Sequence, residues 1–201
     1  MVYIHKSSAK TTIPTQPLTP ASFKPFGSII CTDQQLDHPH KSAANQGTAI
    51  KLFQVSQIVN NYSSCPSGNP ATINWNIFRC TVPNTLTKSD QGNRVYTGKV
   101  LERHPYTTQT FLPMGISKEK DTYMVICALN DETTDQKLPD LSTLTAFICK
   151  GNQAVTYGAG VWHAPMIVLN ETVDFAVLVH ENDQPQENCE EVEYEGLQVL
   201  I

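Results

Sequence analysis

Two imidazoles, a carboxylate and a carboxamide are spaced along this chain so that a closed sheet could bring them together. Glu102 and His104 are separated only by Arg103. In a strand, alternation places Glu102 and His104 on one face, with their Cα atoms about 7 Å apart, and Arg103 on the other. A turn after His104 would return Gln109 to the same place. His163 follows His104 by 59 residues, after a glycine-containing turn that lets the backbone bend tightly.

These four side chains have the donor types of a divalent metal site. Such a site often takes two ligands at i and i+2 of one strand, a third across a hairpin and a histidine from a later strand. Glu102 and His104 would be the first two, Gln109 the third and His163 the fourth. Nitrogen and oxygen donors of this kind suit Mn, Fe, Ni or Zn, and the neutral Gln109 is the weakest of them. The alternative is that both histidines are structural residues satisfied by hydrogen bonds.

Three further residues could hold an anionic substrate. Arg79 lies in a mostly apolar segment, where a buried guanidinium needs a partner and could grip a carboxylate with two hydrogen bonds. The alternative is an arginine at the rim of a strand. Lys51 could likewise either hold a substrate carboxylate or lie at a strand rim. Asn45 begins a turn whose backbone N–H groups could face an anion.

Positioning these residues requires a fold rich in β-strands. The chain has 13 prolines and 10 glycines in 201 residues, and its short apolar runs are separated by turns. This pattern predicts a single mainly β domain over residues 1–201, a sandwich or barrel with few short helices. A flexible arm is expected over residues 1–17 and a helical turn over 19–27. Strands are expected over residues 28–31, 48–55, 75–82, 95–104, 109–112, 122–129, 144–149, 154–157, 161–169 and 174–179.

Composition excludes several classes of partner. Residues 151–201 carry nine acidic residues and no lysine or arginine, so no basic stripe offers itself to a nucleic acid. No apolar run reaches the about 18 residues that a membrane span needs. The first residues lack the apolar core of a secretory signal, and the six cysteines are widely spaced. We therefore expect reduced thiols and a cytoplasmic location.

Several motifs together resemble one enzyme family. They are residues 101–105 with Gln109, residues 140–147, residues 151–157 and residues 161–165. They are similar to the ureidoglycolate lyase family, and residues 45–52 are similar to its fungal branch. The resemblance implies a cupin-type, jelly-roll-like β-barrel, a homodimer and cleavage of (S)-ureidoglycolate to glyoxylate and urea in allantoin degradation. It also implies stimulation by a divalent metal, with nickel as the metal of the bacterial members.

The implied reaction assigns roles to these residues. One carbon of ureidoglycolate bears a hydroxyl, a carboxylate and the urea nitrogen, so breaking its C–N bond needs a base and an acid. His104 or Glu102 is the expected base, and His163 the acid or a metal ligand. The expected substrate-binding residues are Arg79, Lys51, Gln109, Asn45 and Arg103. Two alternatives are an amidohydrolase that releases ammonia with a firmly bound metal, and a cupin that binds a small acid without turnover.

Overall fold

The chain folds into β-strands joined mainly by short turns. The structure is a computed structural model that describes residues 3–89 and 91–201, so Met1 and Val2 of the expected arm lie outside the described residues. The described α-helices are α1 (Pro20–Phe23), α2 (Thr32–Gln35) and α3 (Pro185–Asn188), and residues Asn45–Gly47 and Tyr62–Ser64 form short 3-10 helices. The described strands are β1 (Tyr3–Pro17), β2 (Gly27–Ile30), β3 (Lys41–Ala44), β4 (Ala49–Leu52), β5 (Thr72–Cys80), β6 (Leu86–Lys88), β7 (Arg94–Arg103), β8 (Gln109–Met114), β9 (Asp121–Asn130), β10 (Pro139–Lys150), β11 (Ala154–Tyr157), β12 (Trp162–His163), β13 (Ile167–Val168), β14 (Val173–Glu181) and β15 (Glu190–Leu200).

Six strands close into a ring. Their order is β10, β1, β15, β7, β12 and β9, and β9 pairs with β10 to complete the circle. One apolar cluster contains inward side chains of this ring, among them Leu101, Ile126, Trp162 and Val192. The expectation of a mainly β, cupin-type barrel with few short helices is confirmed.

A second sheet packs against the outside of one wall of the ring. Its strand order is β2, β11, β8, β14 and β5. A second apolar cluster fills the space between the two layers, with Phe111 and Val177 from the second sheet and Val125 and Cys127 from the ring. β9 is thus buried on both faces, which explains why its sequence is a nearly continuous apolar run. This interlayer space is where the candidate site lies.

The expected flexible arm is wrong from residue 3 onward. β1 pairs in parallel with β15 over most of its length and with β10 at its end. The strand was missed because its exposed face is polar and its charges, such as those of Lys6 and Lys10, are typical of a solvated segment. Those lysines pair with Glu193 and Glu195 on the neighbouring strand.

Most of the other predicted elements are present with shifted ends. Thr19 caps α1 as expected, and Gly27 has a φ of +148° at the start of β2. A Cβ at Gly27 would lie 2.0 Å from the carbonyl oxygen of Thr156, so no larger residue fits there. The strand expected over residues 161–169 is instead two short strands, β12 and β13, because residues 164–166 leave the ladder. No described helix is long and apolar enough to cross a membrane.

Candidate active site

The cluster expected from the sequence forms between the two layers. His163 of β12 pairs with Glu102 of β7 on one side and with Cys127 of β9 on the other. Residues paired in register point to the same side of a sheet, and here that side faces the second sheet. Gln109, the first residue of β8, meets them from that second sheet.

The distances make this a compact group. Nε2 of His163 lies 3.7 Å from Oε1 of Glu102 and 3.2 Å from Oε1 of Gln109. The rings of His104 and His163 are 5.5 Å apart. One ligand atom each from Glu102, His104 and His163 lie within 4.8 Å of one another. The structure therefore brings together all four residues that the sequence spacing selected.

Both histidines are held through Nδ1. Nδ1 of His104 lies 2.6 Å from the carbonyl oxygen of Asn188, and Nδ1 of His163 lies 3.0 Å from that of Val161. A carbonyl oxygen only accepts, so each Nδ1 carries the proton and each Nε2 keeps a lone pair. With the Gln109 amide turned by 180°, so that its NH₂ group takes the place of Oε1, Gln109 would donate to the Nε2 lone pair of His163.

Burial keeps both imidazoles neutral. The pKa of His163 is lowered to about 3, first because burial removes water from the ring and second because of the neighbouring His104. Burial also lowers the pKa of His104, while the hydrogen bond to Asn188 and the charge of Glu181 act in the opposite direction. At neutral pH both rings are lone-pair donors.

Glu102 is shifted the other way. Burial raises its pKa to about 7, and the negative charge of Glu191, directly across on β15, adds to the effect. A carboxyl group with this pKa exists in both protonation states near neutrality. It can therefore give or take a proton under ordinary conditions.

Sequence reasoning missed Tyr157 as part of this site. Its ring lies parallel to that of His163, with centroids 3.9 Å apart and an interplanar angle of 9°. Tyr157 ends β11, opposite Gln109 in the register, and is almost fully buried. The pattern of residues 154–157 predicts a buried strand, but it does not show which ring Tyr157 would meet.

The donor set fits a divalent metal. Nε2 of His104 is buried and has no hydrogen-bond partner among the residues that the structure describes. Glu102, His104 and His163 supply two nitrogens and one oxygen at short mutual distances, and each imidazole donates its other N–H to a carbonyl, as metal-bound histidines do. Glu102 also lies within 4.8 Å of donor atoms of Cys189 and Glu191.

Arg79 does not join the cluster in this chain. Its guanidinium makes two hydrogen bonds of 2.8 Å to Asp174 and its side chain is 73% exposed. Gln109 on β8, Val179 on β14 and Asn74 on β5 are neighbours across the second sheet. Arg79 lies five residues farther along β5 than Asn74, away from the cluster. The strand character was predicted correctly, but β5 is an edge strand and Arg79 finds its partner on the surface.

Arg103 also faces away, as alternation predicted. It bonds Glu190 and Asn130, and its guanidinium lies 4.5 Å above the ring of Trp162. Trp162 belongs to the interior of the ring of strands. The expectation that Arg103 contacts substrate is not supported by this placement, because its donors already serve the protein.

Lys51 and Asn45 lie on an exposed hairpin formed by β3 and β4. Nζ of Lys51 lies 4.7 Å from the centre of the Phe53 ring, and Asn45 and Gln46 have φ values of 48° and 57° at the tip. The structure does not bring either predicted residue to the cluster within one chain. Their role in substrate binding is not supported by the geometry of a single protomer.

Comparison with known proteins identifies similar chains. A family model described as ureidoglycolate lyase matches residues 10–200. A protein of Saccharomyces cerevisiae named ureidoglycolate lyase is 44% identical over 94% of this chain and 98% of its own length. Proteins with the same name from Schizosaccharomyces pombe and Burkholderia mallei are 38% and 32% identical, covering 87% and 83% of this chain and 87% and 81% of theirs.

Proposed function

The chain belongs to the ureidoglycolate lyase family, and from that membership we propose that it cleaves (S)-ureidoglycolate to glyoxylate and urea at the Glu102–His104–His163 cluster. The observation that carries the proposal is the convergence of these three groups within 4.8 Å at one buried place. The allantoin-degrading pathway follows from the relatives' substrate.

The reaction requires two proton movements and no water. A base takes the proton from the hydroxyl oxygen, the electron pair of that O–H bond forms the carbonyl of glyoxylate, and the C–N bond breaks. An acid then supplies a proton to the departing urea nitrogen. A buried site with one proton acceptor and one proton donor meets this requirement.

His104 is suited to be the base. Its Nδ1 proton is committed to the Asn188 carbonyl, so the Nε2 lone pair is the one that faces the cluster. Burial lowers the pKa of His104, which keeps that lone pair free at neutral pH. General base help of this kind contributes about 10² to 10⁴ in rate.

Glu102 is suited to be the acid. With a pKa of about 7, its carboxyl carries a proton in a large fraction of molecules at neutrality. His163 has no proton to give from Nε2, because its pKa is about 3 and its Nδ1 proton serves Val161. His163 instead packs beside the carboxyl, and Gln109 contacts the same Nε2 atom of His163.

In a metal-bound form of the site, the same three side chains would hold a divalent ion in place of these proton-transfer roles. Nε2 of His104, Nε2 of His163 and a carboxylate oxygen of Glu102 are the ligands that the geometry offers. Bound there, a transition metal would supply Lewis-acid stabilisation of developing negative charge on oxygen. Nickel is one of the metals that this nitrogen and oxygen set accepts.

We also propose a homodimer that uses the outer face of the second sheet. Ile73, Trp75 and Ile77 point outward from β5 and are 52%, 63% and 74% exposed, and Leu112 and Met114 of β8 are also exposed. The other half of this face is covered, since Ser56 bonds Ser28 and Thr156 there. An apolar patch of this extent is typical of a surface that a second copy buries.

The six cysteines support a reducing compartment. All of them are free thiols in the structure, and Cys127 and Cys149 are fully buried in the interlayer core. Free, widely separated thiols are the usual condition of proteins in the cytoplasm. We propose a cytoplasmic location on this ground.

One assay tests the proposed reaction. The purified protein is incubated with (S)-ureidoglycolate, and urea, glyoxylate and ammonia are measured, with and without prior treatment with a chelator. We expect urea and glyoxylate in equal amounts and no ammonia. Ammonia in place of urea would indicate an amidohydrolase, and binding without turnover a non-catalytic cupin. Loss of urea release after chelation, restored by nickel, would assign the metal to the reaction.

A further inference from the structure

His104 is held by a residue far away in the sequence. His104 lies one position beyond the end of β7, so its backbone is outside the strand ladder. The carbonyl of Asn188, at the end of α3, accepts the Nδ1 proton at 2.6 Å. The backbone of His104 is fixed separately, because its carbonyl accepts the N–H of Gly160 at 2.9 Å. Thus the ring orientation depends on where Asn188 lies.

Asn188 is itself locked by its side chain. Oδ1 accepts from the hydroxyl of Tyr62 at 2.6 Å and from the backbone N–H of Asn182 at 3.0 Å. Nδ2 donates to the carbonyl of Asn182 at 2.7 Å. Tyr62 is 1% exposed, and its hydroxyl also lies 3.2 Å from the carbonyl of His180. Every one of these contacts is internal to the protein.

Two surface loops meet to build this arrangement, residues 60–69 and residues 182–188, which we call the loop clamp. Glu187 accepts from both the backbone N–H and the hydroxyl of Ser67 at 2.7 Å, and from Asn182 at 2.8 Å. Asn69 donates to Asp183 at 3.2 Å. The backbone N–H of Asn61 donates to the carbonyl of Tyr106, so the first loop is also tied to the turn that follows His104.

We propose that Tyr62 and Asn188 are positioning residues for His104: the loop clamp sets its tautomer and aims its Nε2 lone pair into the cluster. The inference rests on the proposed function for its effect on rate, but not for its effect on the imidazole. A carbonyl that moves away from Nδ1 releases the ring to rotate or to change tautomer. Loss of a precise orientation by a change remote from the chemistry can cost about 10²-fold in rate.

The direct test is Tyr62→Phe, which removes one hydroxyl and keeps the ring against Tyr106, 5.6 Å away. We expect kcat to fall by about 10- to 100-fold while KM changes by less than about twofold, because orientation and not substrate contact is lost. Tyr106→Phe is the matched control. It removes a neighbouring phenol hydroxyl that has no hydrogen-bond partner among the described residues, and should retain kcat.

The ring nitrogen shifts of His104 give a second readout that does not depend on turnover. In chelator-treated protein with ¹⁵N-labelled histidine, assigned with the His104→Gln variant, wild type should show protonated Nδ1 and unprotonated Nε2. Tyr62→Phe should show a mixture of the two tautomers. An unchanged tautomer together with an unchanged kcat would overturn the proposal. If wild type fails to release urea, the proposed function fails, and the tautomer result still judges the loop clamp.

Ser67→Ala provides a variant with less risk to folding. Ser67 is exposed, and its hydroxyl bonds Glu187 within the loop clamp. We expect a smaller fall in kcat, about threefold to tenfold, in the same direction and again without a matching change in KM. Wild-type kcat and an unmixed His104 tautomer in this variant and in Asn188→Ala would contradict the inference.

Discussion

Replacing Glu102 by Gln should make the protein more stable in alkaline solution. Burial and then the charge of Glu191 raise the pKa of Glu102 from 4.5 to about 7. A difference of this size corresponds to about 3 kcal/mol, at about 1.36 kcal/mol for each pKa unit. Because the pKa of Glu102 is higher in the folded protein than in the unfolded chain, the neutral carboxyl favours the folded state. This stability is fully present below the unfolded pKa of 4.5 and is lost as the pH rises through about 7.

Urea denaturation at about pH 4.5 and about pH 8.5, with a chelator present, measures the effect. At the lower pH the variant, which resembles the neutral acid, should match wild type within about 1 kcal/mol. At the higher pH it should exceed wild type by about 3 kcal/mol in free energy of unfolding. Glu195→Gln, an exposed carboxylate on the same β15 strand, is the control and should change this pH dependence little.

Parallel pH curves for wild type and Glu102→Gln would contradict a raised pKa of Glu102 in the folded protein. They would mean that Glu102 is as well solvated in the folded protein as in the unfolded chain. Its assignment as the group that carries a proton near neutrality would then lose its physical basis. The activity of the variant is an independent measurement, because stability and rate depend on different properties of the same carboxyl.

Three other variants test neighbouring parts of the structure. The Tyr157 hydroxyl is buried with no partner among the described residues, so Tyr157→Phe should raise the free energy of unfolding by about 1 kcal/mol in urea denaturation. Trp75→Glu should give a particle of 22.3 kDa in light scattering, where wild type gives twice that mass; a dimeric variant would remove this surface from the interface. Gly27→Ala should cost about 2 kcal/mol or more, because its Cβ would meet the Thr156 carbonyl, and unchanged stability would contradict that contact.

The sequence predicted the centre of the site because that part depends on local alternation. Glu102 and Arg103 face opposite sides of β7, as the two-residue period of a strand requires. The continuous apolar run of β9 is buried on both faces. The turn before β8 returns Gln109 to the cluster. These features follow from residues close together in the chain.

Other features depend on contacts that no local pattern contains. The sequence of β15 is acidic, yet Val192 and Val199 on its other face are buried in the ring. His104 takes its orientation from Asn188, 84 residues away. The apolar neighbours of Arg79 leave open whether it is buried or lies at a strand rim, and the structure places those neighbours exposed on a free sheet face.

In the proposed reaction, His104 provides the base for cleavage of ureidoglycolate. The most direct measurement is urea release from (S)-ureidoglycolate by His104→Ala beside wild type, with folding of the variant checked by circular dichroism. We expect kcat/KM to fall by about 10² to 10⁴. A folded His104→Ala variant that releases urea at the wild-type rate would contradict it.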